Sequence, residues 1–387
     1  MAEHRHVADC GERVLLTVPQ LEATSSPYRE LMALCKGLTR RGFRLDVCSL
    51  RPNGSDITGS QLAAMGVGWF VARFRPAEYG LSGWLEFLKY RRVIRGRGRY
   101  AIHHSLDFTS MPLEAWSSPS FADHFLFTQR SMNRNGYRWA LKARARRAGV
   151  VVGISEGVCG YLRSLQVAPS KIRRVYNGFH LSVPQGVKAA VPGILCVAHL
   201  QRGKRQIDLI RAVARVRERQ SDIMLRLVGE AYDTEYEHQL RLECRRLSLE
   251  KHVQFLGRRT DVPALLAQSS ILVSCSETEA LGTSIIEAMK VGVPVVSSRA
   301  EGPSEFLVHQ ENAWLVDTGD VAGFAEGILN LLENETLRQR LVDRARATAE
   351  RLFSPEPMVE AYAAIYRELL ARGCASDRKC QTLRGAS

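Results

Sequence analysis

A chain of 387 residues, 45% apolar and 24% charged, is too long for one domain of usual size and too ordinary in composition to be fibrous or disordered. The longest apolar runs, "ILVSC" and "VGVPVV", fall far short of the roughly 18 residues that span a bilayer, and the early charges lack the apolar centre of a secretory signal. The formal net charge of +14 belongs wholly to the first half: residues 1–185 carry 27 Lys/Arg against 13 Asp/Glu, and residues 186–387 carry 27 of each.

The excess concentrates in "KYRRVIRGRGR" (89–99) and "RNGYRWALKARARR" (134–147). Such runs are either solvated helix faces or a surface for an anionic partner, such as phospholipid headgroups or a phosphorylated glycolipid. No nucleic-acid-binding pattern accompanies them. The nine cysteines show no metal-site spacing, and Cys48, Cys196 and Cys275 sit within apolar segments. Buried thiols in a reducing, cytoplasmic compartment are the expectation.

In chain order, "RVLLTV" reads as a strand, "YRELMALCKGLTRRG" as a helix with Leu31, Leu34 and Leu38 at helical spacing, and "FRLDVCSL" as a second strand. Strand, helix, strand with short links is a βαβ unit and implies a parallel sheet covered by helices. "YAIHHSL", "FLFTQ" and "GVVVGIS" are further strands, and "LSVPQGVKAAVPG" reads as a linker. The second half repeats the alternation with the strands "ILCVAHL", "IMLRLVGE", "VQFLG", "ILVSCS" and "PVVSS". Two doubly wound α/β domains in series are expected, each turning the carboxyl ends of its strands to a cleft between them. The boundaries fall at 1–185 and 186–355, with a terminal helix over 356–372 packing back on the first domain and a polar, disordered tail over 373–387.

The most informative stretch is "SETEALGTSIIEAMKVGVPVV" (276–296), with Glu279 and Glu287 eight positions apart. Leu281 and Gly282 read as the end of a loop, Thr283 or Ser284 as a helix cap, and Glu287 as a residue of the first turn beyond it. The free backbone N–H groups at 282–284 then form an anion site flanked by two carboxylates. A phosphate-bearing ligand with hydroxyls for the carboxylates fits that pattern. An exposed glutamate complementing the helix dipole is the plainer alternative for Glu287.

The run from 194 to 320 resembles the retaining, nucleotide-sugar-dependent glycosyltransferases of the GT-B fold, group 1 or family 4 type. The resemblance is carried by "LCVAHLQRGKRQIDLIRAVA", "LRLVGE", "VQFLGRRTDVPALLAQSSILVSCSETEALGTSIIEAMKVGVPVVSSRAEGPSEFL" and "NAWLVDTGD", in that order. It implies that Glu287 binds the nucleotide ribose, that Glu279 lies beside the donor sugar, and that Leu281, Gly282 and Thr283 cradle the diphosphate. Lys204 falls on the family's phosphate-gripping lysine, where a cation neutralises charge that grows as the glycosidic bond breaks. The family's arginine five positions earlier is His199 here, and Arg202 is the candidate substitute. Gly229 and Arg258 lie where the family forms its base pocket.

The first half departs from the pattern. In place of glycines after strand one stand Ser25, Ser26 and Pro27, and the usual histidine after "FLFTQ" is replaced by Gln129 and Arg130. Arg130 facing the diphosphate is the preferred expectation, with His103 or His104 as alternatives at the end of a neighbouring strand. Asn177-Gly178 in "VYNGFH" matches a structural turn of the family.

The resemblance implies a cytoplasmic enzyme that moves a sugar from a nucleoside diphosphate to an acceptor hydroxyl in lipopolysaccharide or other glycoconjugate synthesis. The acceptor, a saccharide or a lipid-linked one, falls to the basic first domain, which also suits a peripheral site on an anionic membrane. No Asp-x-Asp pair stands at a strand end, so no metal is expected, and neither is nucleic acid. Three rivals stay open. They are other GT-B chemistry, such as a sugar-nucleotide epimerase or a phosphorylase; a non-catalytic nucleotide-sugar binder; and a dinucleotide oxidoreductase. Against the last, neither first turn holds G-x-G-x-x-G.

Overall fold

The computed structural model describes residues 12–19, 25–51, 57–73, 81–106, 112–132, 138–182 and 193–384. Most of the expected linker and residues 134–137 of the second basic run lie outside them. The first strands and helices are β1 (Arg13–Val18), α1 (Ser26–Thr39), β2 (Arg44–Ser49), α2 (Ile57–Ala63), β3 (Gly68–Val71) and α3 (Leu81–Arg95). They continue with β4 (Tyr100–Ser105), α4 (Pro112–Ser117), β5 (Ala122–Gln129), α5 (Arg138–Arg147), β6 (Val150–Gly153), α6 (Glu156–Ser164) and β7 (Ile172–Arg174). Then come β8 (Gly193–Val197), α7 (Gln206–Arg217), β9 (Met224–Val228), α8 (Thr234–Arg246), β10 (Val253–Phe255) and α9 (Val262–Ala267). The last are β11 (Ile271–Ser274), α10 (Thr283–Val291), β12 (Val295–Ser298), β13 (Trp314–Val316), α11 (Val321–Glu333), α12 (Glu335–Phe353) and α13 (Pro355–Arg384).

Two compact units result. One holds Met1–Ile154, Val158–Gly178 and Pro355–Ser387; the other holds Ser155–Gly157 and Phe179–Ser354. The first contains a seven-stranded sheet ordered β3-β2-β1-β4-β5-β6-β7, and the second a six-stranded sheet ordered β10-β9-β8-β11-β12-β13. Every strand pair in both is parallel. Such sheets are covered on both faces, which is why β1 is buried from Val14 to Val18 on both sides of the sheet. Val14 and Leu16 pack with α1 and α13, whereas Leu15, pointing the other way, packs with α3.

Serine and proline after β1 have a local explanation. Ser25 caps α1, its Oγ accepting from the Tyr28 amide, and Pro27 sits in the first turn, where its missing N–H costs nothing. The helix α13 belongs to the first unit. Val359 crosses α1 at Gly37, where any Cβ would overlap its methyl groups. Arg41 pairs with Glu356 and Glu360, and Arg173 with Glu368 at 3.0 Å. The tail expected to be disordered from 373 instead continues α13 as far as Arg384. The segment lacks proline, and Arg378, Lys379, Gln381, Leu383 and Arg384 are good helix formers that outweigh its polarity.

The first unit also hides polar residues. Strand alternation sends the adjacent His103 and His104 to opposite faces of β4, and neither is exposed. His103 Nδ1 lies 2.9 Å from Ser118 Oγ, and its Nε2 lies 3.2 Å from both Glu114 Oε1 and Thr17 Oγ1. Arg144 Nη2 donates to Ser105 Oγ at 2.8 Å and lies 3.6 Å from Glu114 Oε2. Burial raises the Glu114 carboxyl, but the hydrogen bond and charge of His103 and the charge of Arg144 outweigh it and hold it down to about 2. On the other face, His104 Nδ1 is 2.6 Å from Tyr366 Oη of α13, and its Nε2 is 2.8 Å from Thr128 Oγ1. Burial first, then neighbouring positive charge, push His104 down to about 3. The expectation that one of these histidines serves as an accessible site residue is therefore corrected: internal partners engage both rings.

Candidate active site

In the second unit the strand order reverses between β8 and β11, which are direct neighbours. The loops leaving two such strands diverge to opposite faces and open a crevice at their carboxyl ends, the usual ligand position of an open α/β sheet. Lys204 lies in the loop after β8 and Glu279 in the loop after β11. Lys204 Nζ donates to Glu279 Oε2 at 2.6 Å, with both side chains mostly buried. The pair thus spans the switch point.

Backbone bonds hold it there. The Glu277 amide donates to the Gly203 carbonyl at 2.9 Å, and the Cys275 thiol reaches the Lys204 carbonyl at 3.3 Å. The loop after β12 closes the frame: the Gly302 amide donates to the Glu279 carbonyl at 3.0 Å. A Cβ at Gly302 would fall inside the van der Waals shell of the Ala280 carbonyl, so only glycine lets the two loops approach this closely. Gly302 and the Cys275 tie were not singled out from sequence. The only signal was the glycine-proline pair after a predicted strand.

The helix start is one or two residues earlier than the sequence reading, with Thr283 or Ser284 as the cap, placed it. Gly282, with φ of 82°, is the cap of α10, and Thr283 is the first helical residue. A left-handed cap without a side chain leaves the amides at the start of α10 without a side-chain acceptor, and these carry the positive end of the helix dipole. Leu281 is buried beside them. Glu287 is the fifth residue of α10, in the second turn and not the first, four positions from Thr283 and on the same face. It is 5% exposed, among the buried Ile285, Ile286, Ala288 and Met289. The exposed-glutamate alternative is excluded, because a carboxylate is buried in an apolar helix only with polar partners.

The remaining candidates divide. His199 stacks on Tyr232 with ring centroids 3.9 Å apart and planes 16° from parallel. Burial, and then the Lys204 charge, lower its affinity for a proton. Gly229 follows β9, where a Cβ would strike the Ala198 carbonyl after β8; its amide donates to Gly257 at 2.9 Å, tying the β10 loop that carries the exposed Arg258. Arg202 points to α8, with Nη1 3.0 Å from Gln239 Oε1 and Nε 3.4 Å from Asp233. Its guanidinium is thus directed to α8 and not to the Lys204–Glu279 pair. Arg130 belongs to the other unit and forms an ion pair with the buried Glu30 of α1. That pairing accounts for its charge as a brace between β5 and α1, a role its sequence neighbours did not disclose. Among the described residues, no group of three or more His, Cys, Asp or Glu is arranged to hold a metal.

A lysine-carboxylate pair and a bare helix N-terminus at the switch point of a parallel sheet put the chain in the class of doubly wound α/β proteins, with features suited to an anionic ligand at the carboxyl ends of the strands. Comparison with known proteins narrows the class. Residues 184–348 match the model of the glycosyl transferases group 1, and residues 29–183 that of glycosyltransferase family 4, so that adjoining matches cover most of the chain. The chain belongs to the group 1 glycosyltransferases, with the two-domain α/β GT-B fold. It is 30% identical over 233 residues to the N-acetyl-alpha-D-glucosaminyl L-malate synthase of Bacillus anthracis, covering 57% of this chain and 60% of that one. Over 174 residues it is 34% identical to the lipopolysaccharide core biosynthesis glycosyltransferase LpsE of Rhizobium meliloti, covering 45% and 49%. The matches thus span about half to three-fifths of the curated relatives' length. Anabaena HepE, solved in complex with UDP and glucose, superposes with a TM-score of 0.75 at 20% identity, covering 92% of this chain and all of that one.

Proposed function

We propose that this chain is a glycosyltransferase that moves a sugar from a nucleoside diphosphate to an acceptor hydroxyl. The observation that carries the reading is the Lys204–Glu279 pair across the β8–β11 switch point, beside the uncapped start of α10 and one helical face from the buried Glu287. In this reading the diphosphate rests on the α10 amides and the Lys204 ammonium, Glu287 accepts from the ribose hydroxyls, and Glu279 orients the sugar. His199, Gly229 and Arg258 line the nucleoside side.

The anomeric carbon–oxygen bond to the diphosphate breaks as a new bond forms to the acceptor oxygen. The acceptor proton passes to the departing phosphate oxygen, which accounts for retention without a dedicated carboxylate base. Negative charge grows on the diphosphate, and the ammonium and helix amides are aimed where it grows. These groups supply the positive charge without calling on a resident metal. HepE is described in complex with UDP and LpsE as a lipopolysaccharide core enzyme. Those names favour a uridine donor and a glycoconjugate acceptor.

The test is a thermal-shift screen against UDP, GDP and ADP, followed by transfer of radiolabelled sugar to acceptor extracts. Stabilisation by one nucleotide at 100 Kd is expected at about 2.7 kcal/mol. Stabilisation by none of the three would overturn the donor site, and a bound but untransferred sugar would favour a non-catalytic binder. Conversion of the sugar while still attached to the nucleotide would favour an epimerase.

A further inference from the structure

We infer that α3, with its neighbours α4 and α5, forms a docking face for an anionic membrane surface. The inference is independent of the donor-site reading. Only three of the chain's five tryptophans, Trp84, Trp116 and Trp139, are half exposed or more, and they lie on α3, α4 and α5. Right-handed crossovers place these three helices together: β3 to β4, β4 to β5 and β5 to β6 all run the same way across the sheet. The opposite face is covered by α1 and α13.

On α3, Phe87, Tyr90 and Ile94 face the core at helical spacing. The outer face is divided lengthwise. Trp84, Leu85 and Leu88 are exposed at one end, and Lys89, Arg92 and Arg95 follow at the other, with Arg97 and Arg99 just beyond. Lys89, Arg92 and Arg95 form no ion pair among the described residues. Exposed Arg138, Arg146 and Arg147 add charge on α5. An apolar outer edge beside unpaired cations has no folding purpose, because α3 already buries a complete stripe.

Three occupants fit an apolar and basic face, and the chemistry chooses among them. A second copy of the chain would bring like charges together. Nucleic acid would use the cations and stack on tryptophan, but the aliphatic Leu85, Leu88 and Val93 offer bases nothing to stack on. An anionic bilayer uses every part: tryptophan at the headgroup level, leucine at the acyl boundary, and lysine and arginine on the phosphates. Among the described residues no helix is long and apolar enough to cross the membrane, so this mode lies on the surface.

The full chain is sedimented with vesicles of phosphatidylcholine alone and of phosphatidylcholine mixed with phosphatidylglycerol. We expect binding to the mixed vesicles that falls with salt. Trp84→Gln/Leu85→Gln/Leu88→Gln should weaken it by roughly tenfold or more, since these side chains carry the apolar contact. Lys89→Gln/Arg92→Gln should weaken it by about fivefold per charge. All five residues are exposed and glutamine is a fair helix former, so folding is preserved and is checked by unchanged melting temperature. Three results would each overturn the inference. They are no vesicle binding by the wild type, binding that the triple variant retains in full, and loss in the triple variant of RNA binding or self-association with no vesicle binding. Nucleotide stabilisation measured on the same samples separates this outcome from failure of the donor site.

Discussion

Exchanging either member of the Lys204–Glu279 pair should affect nucleotide binding in opposite senses. The bond is a charge-assisted one of 2.6 Å between side chains 16% and 23% exposed, in the free protein. Its own contribution to stability is about 1 kcal/mol or less, because desolvating two mostly buried charges offsets their attraction. Lys204→Met removes a cation from the diphosphate, which costs about 1.5–3 kcal/mol, or roughly ten- to 150-fold in Kd. It also leaves Glu279 as an uncompensated negative charge beside the phosphates. Glu279→Gln does the reverse: it frees the ammonium and removes a repulsive charge, so nucleoside diphosphate should bind as well as to wild type or several-fold more tightly. Sugar transfer by this variant should nonetheless fall, because an amide holds sugar hydroxyls less strongly than a carboxylate. Isothermal titration with the nucleotide chosen by thermal shift, and single-turnover transfer, read the two effects separately. Should Glu279→Gln weaken nucleotide binding as much as Lys204→Met, the pair is a brace and the reasoning fails.

Three further outcomes follow from the same geometry. If Glu287 holds the ribose, wild type should prefer the ribonucleotide to its 2′-deoxy analogue by roughly tenfold, and Glu287→Ala should bind the two alike; a preference that survives the substitution contradicts the role. Gly302→Ala places a methyl group against the Ala280 carbonyl and should shift the Glu279 loop, lowering transfer by tenfold or more while nucleotide binding through Lys204 changes less. His104, held down to about 3, stays neutral where an unfolded histidine charges near 6.5. The unfolded chain therefore binds the extra proton, so stability falls as pH drops below that value, by about 2 kcal/mol at pH 5. Urea titrations at pH 7.5 and 5 should show that loss in wild type and less of it in His104→Gln; equal losses would refute the assignment.

The parallel sheets and the 276–296 constellation were legible because apolar strands, helical spacing and a glycine before a helix are local signals. The buried polar partners were not. Arg130 and Glu30 lie 100 positions apart, and Thr17 and Glu114 lie 97 apart, so nothing in either neighbourhood names the other. Arg144, in a run that reads as a solvated basic face, is in fact wholly buried over Phe127. Composition cannot distinguish it from Arg146, which is exposed. The histidines of β4 misled for a related reason. A strand end is where site residues sit, yet period-two alternation placed each ring against a covering helix.

A crystal structure of the chain with the nucleoside diphosphate selected by thermal shift tests the central claim most directly. The account predicts phosphate oxygens within hydrogen-bond reach of Lys204 Nζ and of the amides that open α10, and ribose hydroxyls on the Glu287 carboxylate. A nucleotide seated instead at the β1–β4 switch point of the first unit, with the Lys204–Glu279 pair untouched, would contradict it.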